Sequence, residues 1–466
     1  MQPWVSLFKD QRSAFAQEPY PSAKVRLDRL DRLGALVLGH QGQIEEALSA
    51  DFSYRCKVET KLAETFVSLE GIKYSKKNLK AWMAPVPRAV SRWFFPSKAE
   101  IFYQPKGVVG VIAPWNYPLY LSVGPLTAAL AAGNRAMVKL PEGTPLFSAL
   151  FAKLLGERFD PTEVAPVLGG PEVGAAFSAM PWDHLLFTGS TAVGRAVMAA
   201  AAPHLTPLTL ELGGKSPAIL APSADPAKAA VKILAAKALN AGQTCIAPDY
   251  VLLPQKQLEP FLAALAQAAQ TQVGSLEPDR DYSSLVNLKH YQRLERLHQE
   301  ALAAGAKEVK LLPGPVFLPP KRRIAPVVLL NPPWDSGVMQ EEIFGPLLPV
   351  LTYQNFGEAL EWVNAGPRPL ALYLFGPKKT ELEATLKGTH SGGVAVNQCL
   401  LQVAQDDLPF GGVGPSGMGR YHGPEGFVTF SNPKGVYRQS WLDAGALVRP
   451  PYNQRTHWML RWMIGK

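Results

Sequence analysis

Apolar residues recur at helical spacing along the first 80 residues of the chain. One apolar face contains, at three-residue steps, Leu27, Leu30, Leu33 and Leu36. The same period continues through Ile44, Ala47 and Leu48, and residues 60–82 combine helical spacing with a strongly polar face. Because apolar positions three or four residues apart lie on one side of a helix, this pattern predicts a helical N-terminal region.

The segment of residues 85–107 has a different pattern. It combines several prolines with a run of aromatic and β-branched residues, PVPRAVSRWFFPSKAEIFYQPKG. Prolines interrupt helices, and aromatic and β-branched residues favour strands. The segment is therefore predicted to be a crossing connection that includes an extended strand or a hairpin.

Beyond residue 107, short apolar runs alternate with helical stretches. The strand-like runs are residues 107–115, 134–139, 164–168, 184–187 and 206–211, and the helical stretches between them are 118–132, 144–159 and 191–202. Wholly apolar strands that alternate with helices are typical of a doubly wound parallel sheet. After Gly213–Gly214 the pattern restarts with strands at 218–220 and 250–253 and helices at 225–240 and 258–272. A second α/β unit is therefore predicted to begin near residue 214.

Composition and charge narrow the class of protein. The chain has 466 residues, of which 47% are hydrophobic and 18% charged, and its net charge of +9 is scattered along the sequence. A scattered charge without a recognisable binding module argues against a nucleic-acid partner. The three cysteines, Cys56, Cys245 and Cys399, form neither a CxxC pair nor a Cys/His cluster. No metal site is expected, and free thiols favour a reducing, cytoplasmic setting.

The two ends of the chain carry no signal for export or membrane insertion. The N-terminus lacks a basic segment followed by an apolar run, and no segment of about 20 apolar residues is present. The C-terminal tail, residues 446–466, ends in the apolar and basic sequence HWMLRWMIGK. Weak association with a membrane surface is one interpretation of this tail. Packing on its own subunit or on a neighbouring one is the favoured alternative.

Two motifs place a reactive side chain beside glycines. The sequence GQTC, residues 242–245, follows a predicted helix and puts the Cys245 thiol in an accessible turn, where a nucleophile must be. A lone cysteine is more often a small core residue. The sequence ELGGKSP begins at Glu211, which ends an apolar strand, and its glycines allow a ligand to approach the backbone. A solvated carboxylate at a strand end is the alternative.

Two further motifs lie at junctions between a strand and a helix. In PWNYP, residues 114–118, two prolines fix the turn around Asn116, whose amide can donate a hydrogen bond to an oxyanion. In FTGSTAVG, residues 187–194, a strand leads directly into a helix whose N-terminal N–H groups suit a pyrophosphate. Turn chemistry at Asn116 and a simple capped helix start are the alternatives.

Taken together and in this order, the motifs resemble those of the aldehyde dehydrogenase superfamily. Further matches are KLPE at 139–142, EEIFGP at 341–346 and PFGGVGPSGMGRYHG at 409–423, so the resemblance covers residues 20 to 435 or so. The last motif and the short N-terminus are similar to the class 3-like branch, and within it to the bacterial coniferyl aldehyde dehydrogenases. The resemblance implies a Rossmann-like cofactor domain with a parallel sheet, a second α/β catalytic domain and a small bridging sheet.

The resemblance assigns roles to three reacting residues. Cys245 matches the family's nucleophile, Glu211 matches its general base, and Asn116 matches the amide of its oxyanion hole. The implied reaction is oxidation of an aldehyde to a carboxylic acid through a thioester on Cys245, without a metal ion. Two alternatives stay open: a CoA-acylating dehydrogenase, against which Glu211 argues, and a catalytically silent protein on the same fold.

The resemblance also implies a cofactor, NAD, with NADP as a second one. Lys139 and Glu142 match residues that hold the adenosine ribose, although Leu140–Pro141 between them departs from many relatives. The implied pyrophosphate site contains Gly189, Ser190 and Gly194. The residues implied to bind the nicotinamide ribose and ring are Glu342 and Phe344.

The domain organisation and the substrate complete the prediction. The cofactor domain is expected at 1–82 and 103–213, the catalytic domain at 214–415, and the segments that bridge subunits of a homodimer at 83–102 and 430–445. The expected substrate is an aromatic, cinnamyl or medium-chain aldehyde such as coniferaldehyde. Around Asn116 the aromatic residues are Trp115, Tyr117 and Tyr120, and those that face the entrance would form an apolar wall suited to a flat ring.

Overall fold

The computed structural model describes residues 3–276, 281–443, 445–446 and 449–465. The predicted domain ranges and tail also include residues 1–2, 277–280, 444, 447–448 and 466, which lie outside the described residues. In chain order the α-helices are α1 (Pro3–Gln17), α2 (Ala23–Gly39), α3 (Gln41–Asp51), α4 (Lys57–Thr60), α5 (Val67–Met83), α6 (Tyr120–Ala131), α7 (Pro145–Arg158), α8 (Pro171–Ser178), α9 (Thr191–Ala201), α10 (Pro226–Ala238), α11 (Leu258–Gln272), α12 (Leu288–Ala303), α13 (Gly337–Gln340), α14 (Phe356–Ala365), α15 (Lys379–Gly388), α16 (Gly423–Thr429) and α17 (Gln454–Ile464).

The strands are β1 (Val86–Arg88), β2 (Lys98–Pro105), β3 (Val108–Ile112), β4 (Arg135–Lys139), β5 (Val164–Val167), β6 (His184–Thr188), β7 (Leu208–Glu211), β8 (Pro217–Leu220), β9 (Tyr250–Pro254), β10 (Lys307–Lys310), β11 (Phe317–Leu318), β12 (Arg323–Ile324), β13 (Val327–Leu330), β14 (Leu347–Tyr353), β15 (Ala371–Phe375), β16 (Gly393–Val396), β17 (Gly417–Met418) and β18 (Ser431–Arg438). A π-helix spans Lys61–Phe66 between α4 and α5. Short 3-10 helices lie at Arg92–Phe94, Ala202–His204, Leu239–Gly242, Gln255–Gln257, Pro319–Lys321 and Leu401–Ala404.

Two large sheets organise the chain, as the alternating pattern predicts. The first has the order β17-β7-β6-β3-β4-β5, in which β17 is antiparallel and the other strands are parallel. The second has the order β10-β13-β14-β9-β8-β15-β16, with only β10 antiparallel. The α/β fold class is confirmed. The predicted domain boundaries stay predictions.

Strand β3 shows why its sequence has no polar positions. Val109 and Val111 pack into the core beneath the N-terminal helices, whereas Val108 and Ile112 pack into the core on the opposite face, which includes Trp4 and Phe8 of α1. Successive residues of a strand point to opposite faces, so a sheet covered by helices on both sides needs apolar residues throughout.

The proline- and aromatic-rich segment forms a hairpin in a small separate sheet. Strand β1 pairs antiparallel with β2, and β18 pairs with the other edge of β2, from Ser431 opposite Pro105 to Arg438 opposite Lys98. The predicted hairpin is confirmed, and the chain segments expected to bridge subunits do share one sheet. None of the described helices is both long and apolar enough to cross a membrane.

Candidate active site

The segment before Cys245 has an unusual backbone. Asn240, Ala241 and Gly242 lie in the left-handed region with φ of 50°, 51° and 75°. A side chain at Gly242 would collide with the carbonyl oxygen of Gly345, so glycine is required there for space as well as for conformation. These consecutive left-handed residues end the helical region, and Cys245 follows Gly242 by three positions.

Hydrogen bonds join this turn to the loop that follows β3. The Asn116 amide donates from Nδ2 to the carbonyl of Gln243 at 3.2 Å, and Asn240 Nδ2 donates to the carbonyl of Asn116 at 3.1 Å. The hydroxyls of Tyr117 and Thr244 lie 2.6 Å apart. Two chain segments about 130 residues apart in sequence are therefore held against each other, and Asn116 is placed beside the turn that carries Cys245.

Glu211 is the last residue of β7 and approaches the turn that carries Cys245 from the parallel sheet. It is buried, and neither carboxylate oxygen has a hydrogen-bond partner among the described residues. Burial raises the pKa of Glu211 well above its usual value, and the positive charge of Arg420 offsets part of that rise. A buried carboxyl group without a partner is costly for the fold, so a group of this kind points to a function.

The Cys245 thiol lies within the electrostatic reach of two carboxylates. Burial, together with the carboxylates of Glu342 and Glu211, raises the pKa of the thiol to about 12. Cys245 keeps some exposure to solvent, so the thiol is accessible although the surrounding protein desolvates it. The three predicted reacting residues, Cys245, Glu211 and Asn116, are thus brought together.

The predicted pyrophosphate residues form the start of α9. The Gly189 N–H donates to the carbonyl of Glu211 at 3.0 Å, which fixes the turn after β6 beside β7. Ser190 is the N-cap of α9, where its hydroxyl accepts the N–H of Val193 at 3.4 Å. Gly194 lies in the first turn of α9 against the side chain of Leu212. The helix N-terminus therefore lies at the end of the strands, next to Glu211.

Lys139 and Glu142 form an ion pair with each other. The Lys139 side chain ends β4 and is only 4% exposed, whereas the Glu142 side chain is 50% exposed. Leu140–Pro141, where this sequence departs from many relatives, therefore leaves the charged groups of Lys139 and Glu142 in contact. Lys139 points its ammonium group to the same edge of the sheet as Glu211, because both residues end parallel strands.

Glu342 and Phe344 lie on one segment, in which Phe344 also has a left-handed backbone with φ of 50°. The Glu342 carboxylate approaches Gly213 so closely that no side chain would fit there, and its Oε1 is buried without a hydrogen-bond partner. Burial raises the pKa of Glu342 to about 8. The Phe344 ring lies 5.4 Å from the ring of Trp115, centre to centre.

Three charged residues that sequence reasoning missed hold this segment. Asp249 accepts the Ile343 N–H at 2.9 Å and pairs with Lys215, whose ammonium group donates to the carbonyl of Glu341 at 3.0 Å. Arg293 donates to the carbonyls of Glu342 and Ile343. Lys215 is part of the ELGGKSP motif, which offered a signal. Nothing in the sequence marks Arg293.

The three aromatic residues near Asn116 do not share one direction. Trp115 packs against Phe344 and, at 4.8 Å, against His290, so it belongs to the side of the predicted cofactor residues. Tyr117 is buried against Thr244. Tyr120 packs against His422, with its hydroxyl 3.2 Å from His422 Nε2. Because Trp115 packs with a predicted cofactor residue, Tyr120 stays the candidate for the expected aromatic wall.

Comparisons with known proteins agree with this geometry. The profile of the aldehyde dehydrogenase family matches residues 9–436. A probable coniferyl aldehyde dehydrogenase of Pseudomonas aeruginosa is 50% identical over 96% of this chain and 94% of its own length. The coniferyl aldehyde dehydrogenase of Pseudomonas sp. strain HR199 is 45% identical over 97% of this chain and 94% of its own.

Among solved structures, the substrate-bound state of Staphylococcus aureus AldH superimposes with a TM-score of 0.94 at 36% identity, covering 99% of this chain and 100% of that one. The named relatives are enzymes, so the alternative of a catalytically silent protein is set aside. The family also supports a pyridine nucleotide cofactor. The chain belongs to the aldehyde dehydrogenase family and is an enzyme that oxidises aldehydes.

Proposed function

We propose that this enzyme oxidises a hydroxycinnamyl aldehyde such as coniferaldehyde to its acid, with Cys245 as nucleophile and Glu211 as general base. The observation that carries the mechanism is the partnerless carboxylate of Glu211 beside the Cys245 thiol, next to the Asn116 amide. The substrate class is supported by the two Pseudomonas relatives, which are named as coniferyl aldehyde dehydrogenases, one of them as a probable one.

The first chemical step needs a thiolate. A thiol with a pKa of about 12 is protonated at neutral pH, so Cys245 must pass its proton to a nearby base as the sulfur bonds to the aldehyde carbon. The carbonyl oxygen then becomes an oxyanion. The Asn116 amide keeps one N–H besides the one given to Gln243, and this N–H, with the backbone N–H of Cys245, stabilises the oxyanion.

Release of the product needs water. After oxidation the acyl group is held as a thioester on Cys245. Ionised Glu211 takes a proton from a water molecule, the resulting hydroxide oxygen bonds to the acyl carbon, and the carbon–sulfur bond breaks to free the acid and the thiolate. The raised pKa of Glu211 suits this task, because its carboxylate, once ionised, is a stronger base towards a water proton than that of an ordinary glutamate.

The residues present fit a dinucleotide. The start of α9 at Ser190 offers N–H groups to a pyrophosphate, Lys139 and Glu142 offer a charged pair to a ribose, and the buried Oε1 of Glu342 lacks a partner that a ribose hydroxyl would supply. When bound, the dinucleotide serves as the hydride acceptor. We propose NAD as the preferred form, because the half-exposed Glu142 carboxylate repels a 2′-phosphate.

A rapid-mixing experiment with coniferaldehyde and NAD tests the mechanism. Wild-type enzyme should release NADH continuously, Cys245→Ala should release none, and Glu211→Gln should give one NADH per active site followed by a steady rate lower by about 10²-fold or more. The matched controls are Cys56→Ala and Cys399→Ala, which should turn over normally.

Two outcomes would contradict the proposal. Turnover by Cys245→Ala would exclude it as the nucleophile, and equal loss of burst and steady rate in Glu211→Gln would place Glu211 in an earlier step. A wild-type burst that stalls until CoA is added would identify the CoA-acylating alternative. The same assay with NADP should give a lower kcat/KM, and acetaldehyde should be oxidised about 100-fold less efficiently than aromatic aldehydes.

A further inference from the structure

A small cavity beside Tyr120 is surrounded by polar atoms that have no partners. It lies between helices α5 and α6 and the loop before α16, and its volume is about 30 Å³. Four buried side chains line it, and each has a polar atom without a hydrogen-bond partner in the described chain: Ser68 Oγ, Thr127 Oγ1, Tyr421 Oη and His422 Nδ1. Isolated atoms of this kind are uncommon in folded proteins, and four around one cavity indicate that something polar is bound there.

The cavity adjoins the segment that carries Asn116, because α6 begins at Tyr120, four residues after Asn116. Tyr120 lines it and is linked to His422 by the 3.2 Å contact of its hydroxyl with Nε2. Burial raises the pKa of Tyr120, and the charges of Asp406, Cys245 and Glu211 raise it further, so Tyr120 lies within electrostatic range of both the cavity residue Asp406 and the proposed reacting residues. The Trp115 ring, in contrast, packs against Phe344, which is one of the predicted cofactor residues.

Aromatic rings pack against the residues that line the cavity. The Phe410 ring stacks on the His422 ring with centres 4.9 Å apart and an angle of 15°, and Tyr421 lies edge-on to His422 at 4.5 Å. A flat ring packs well against such surfaces, because aromatic pairs prefer stacked and edge-on arrangements. An aromatic substrate could therefore lie along this wall with its far end at the polar atoms.

The polar atoms match one chemical group. The Tyr421, Thr127 and Ser68 hydroxyls can each donate or accept a hydrogen bond. His422 is neutral, since burial lowers its pKa to about 3, and it carries a proton on Nδ1 when its Nε2 accepts one from Tyr120. Asp406 lines the same cavity and supplies a further acceptor. A phenol hydroxyl donates one hydrogen bond and accepts up to two, so it can pair with up to three of these groups, whereas an alkyl chain would leave every member unpaired.

We propose that the cavity formed by Ser68, Thr127, Tyr421 and His422 binds the ring hydroxyl of a 4-hydroxylated aromatic aldehyde. The inference rests on the proposed function and extends it, since it explains how the enzyme distinguishes a hydroxycinnamyl aldehyde from cinnamaldehyde itself. The cavity accepts only a group of one or two heavy atoms, because a water-sized group needs about 10–15 Å³ of such volume. The ring stays outside, against Tyr120 and Phe410.

The test compares two aldehydes that differ only in this hydroxyl, cinnamaldehyde and 4-hydroxycinnamaldehyde. The readout is the ratio of their kcat/KM values, measured for wild-type enzyme, Tyr421→Phe, Thr127→Val and the control Tyr437→Phe. The Tyr437 hydroxyl is in β18 and contacts only Gln439 among the described residues. The intrinsic reactivities of the two aldehydes are the same for every variant, so a change in the ratio reports the contact with the hydroxyl.

Tyr421→Phe and Thr127→Val should each lower the preference for the hydroxylated aldehyde by about 10-fold, and Tyr437→Phe should leave the ratio unchanged. An unchanged ratio in both cavity variants would overturn the inference. If the thermal midpoint of the same variants were also lower, the result would indicate a structural water in the cavity. Failure of wild-type enzyme to oxidise either aldehyde would instead count against the proposed function.

Discussion

The Cys245 thiol shares its pocket with two carboxyl groups, and their charges oppose its ionisation. Of the two carboxylates, Glu342 raises the pKa of the Cys245 thiol more than Glu211 does. Negative charge nearby destabilises a thiolate, so removal of the Glu342 charge should lower the thiol pKa. Burial is the larger cause and stays in place, so the pKa of the variant should remain above that of an ordinary cysteine.

The measurement is the rate of alkylation of Cys245 by iodoacetamide as a function of pH, in enzyme without cofactor. Glu342→Gln should react about 10-fold faster than wild type at pH 9, since a pKa lower by about one unit gives ten times more thiolate. Glu341→Gln is the matched control, because the exposed Glu341 carboxylate pairs with Arg296. A slower reaction of Glu342→Gln would show that Glu342 does not act on the thiol through its charge.

At the same scale, the sequence indicates the reacting residues but not their supports. Cys245, Glu211 and Asn116 stand beside glycines or prolines at the ends of strands and helices, so local sequence marks them. Arg55 and Glu64 form a buried ion pair at 2.7 Å, and Glu64 Oε2 accepts the N–H of Leu119 at 2.6 Å. These partners are 9 and 55 residues apart in sequence, and no local pattern encodes such a contact.

The short helix α4 and the π-helix after it connect the N-terminal region to the catalytic turn. Glu59 of α4 accepts the Asn240 N–H at 3.2 Å through one oxygen and the Ser283 hydroxyl at 2.5 Å through the other. Asn240 begins the left-handed turn that leads to Cys245. Glu59 therefore anchors a backbone conformation that is unfavourable on its own, and a π-helix next to it is typical of functional regions.

Glu59→Ala should slow acylation more than it weakens binding. Loss of both bonds frees the turn, and small displacements of a nucleophile cost about 10- to 100-fold in rate. In rapid mixing, the NADH burst rate constant should fall by that amount while KM changes little. Glu59→Gln, which keeps an acceptor for Asn240, should recover most of the rate, and Glu46→Ala, at an exposed site on α3, should behave as wild type. Equal behaviour of Glu59→Ala and Glu59→Gln would exclude this positioning role.

Elements with a regular apolar pattern were the most predictable. Strand β3 and helix α11 were expected from apolar runs and helical spacing alone, and both are present. The π-helix Lys61–Phe66 and the turn at Asn240 were not expected, because their geometry depends on contacts with distant segments such as residues 116–120. The sequence pattern also left the elements beyond residue 272 unassigned, where an antiparallel strand, β10, joins the parallel strands β13 and β14, and β11 and β12 form a separate two-stranded sheet.

At the scale of the whole molecule, one surface has more exposed apolar side chains than a lone subunit would be expected to show. Helix α17 is exposed along nearly its whole length, with Thr456 its only buried residue. Trp458 and Trp462 are 71% and 63% exposed, and Trp462 touches Trp93 at the end of the hairpin sheet. An 11-residue helix is marginally stable by itself in water, so α17 requires a partner surface.

We predict that a second copy of the chain supplies that surface. Strand β18 forms an outer edge of the small sheet, and a free strand edge can pair with another chain. Light scattering at micromolar concentration should give twice the chain mass of 50.6 kDa. The dimer of the double variant Trp458→Asp/Trp462→Asp should have a Kd at least about 100-fold higher than the wild-type dimer. Two buried tryptophans contribute roughly 3 kcal/mol or more to association, which corresponds to that factor. A monomeric wild type that sediments with anionic vesicles would show that a membrane surface covers α17 instead.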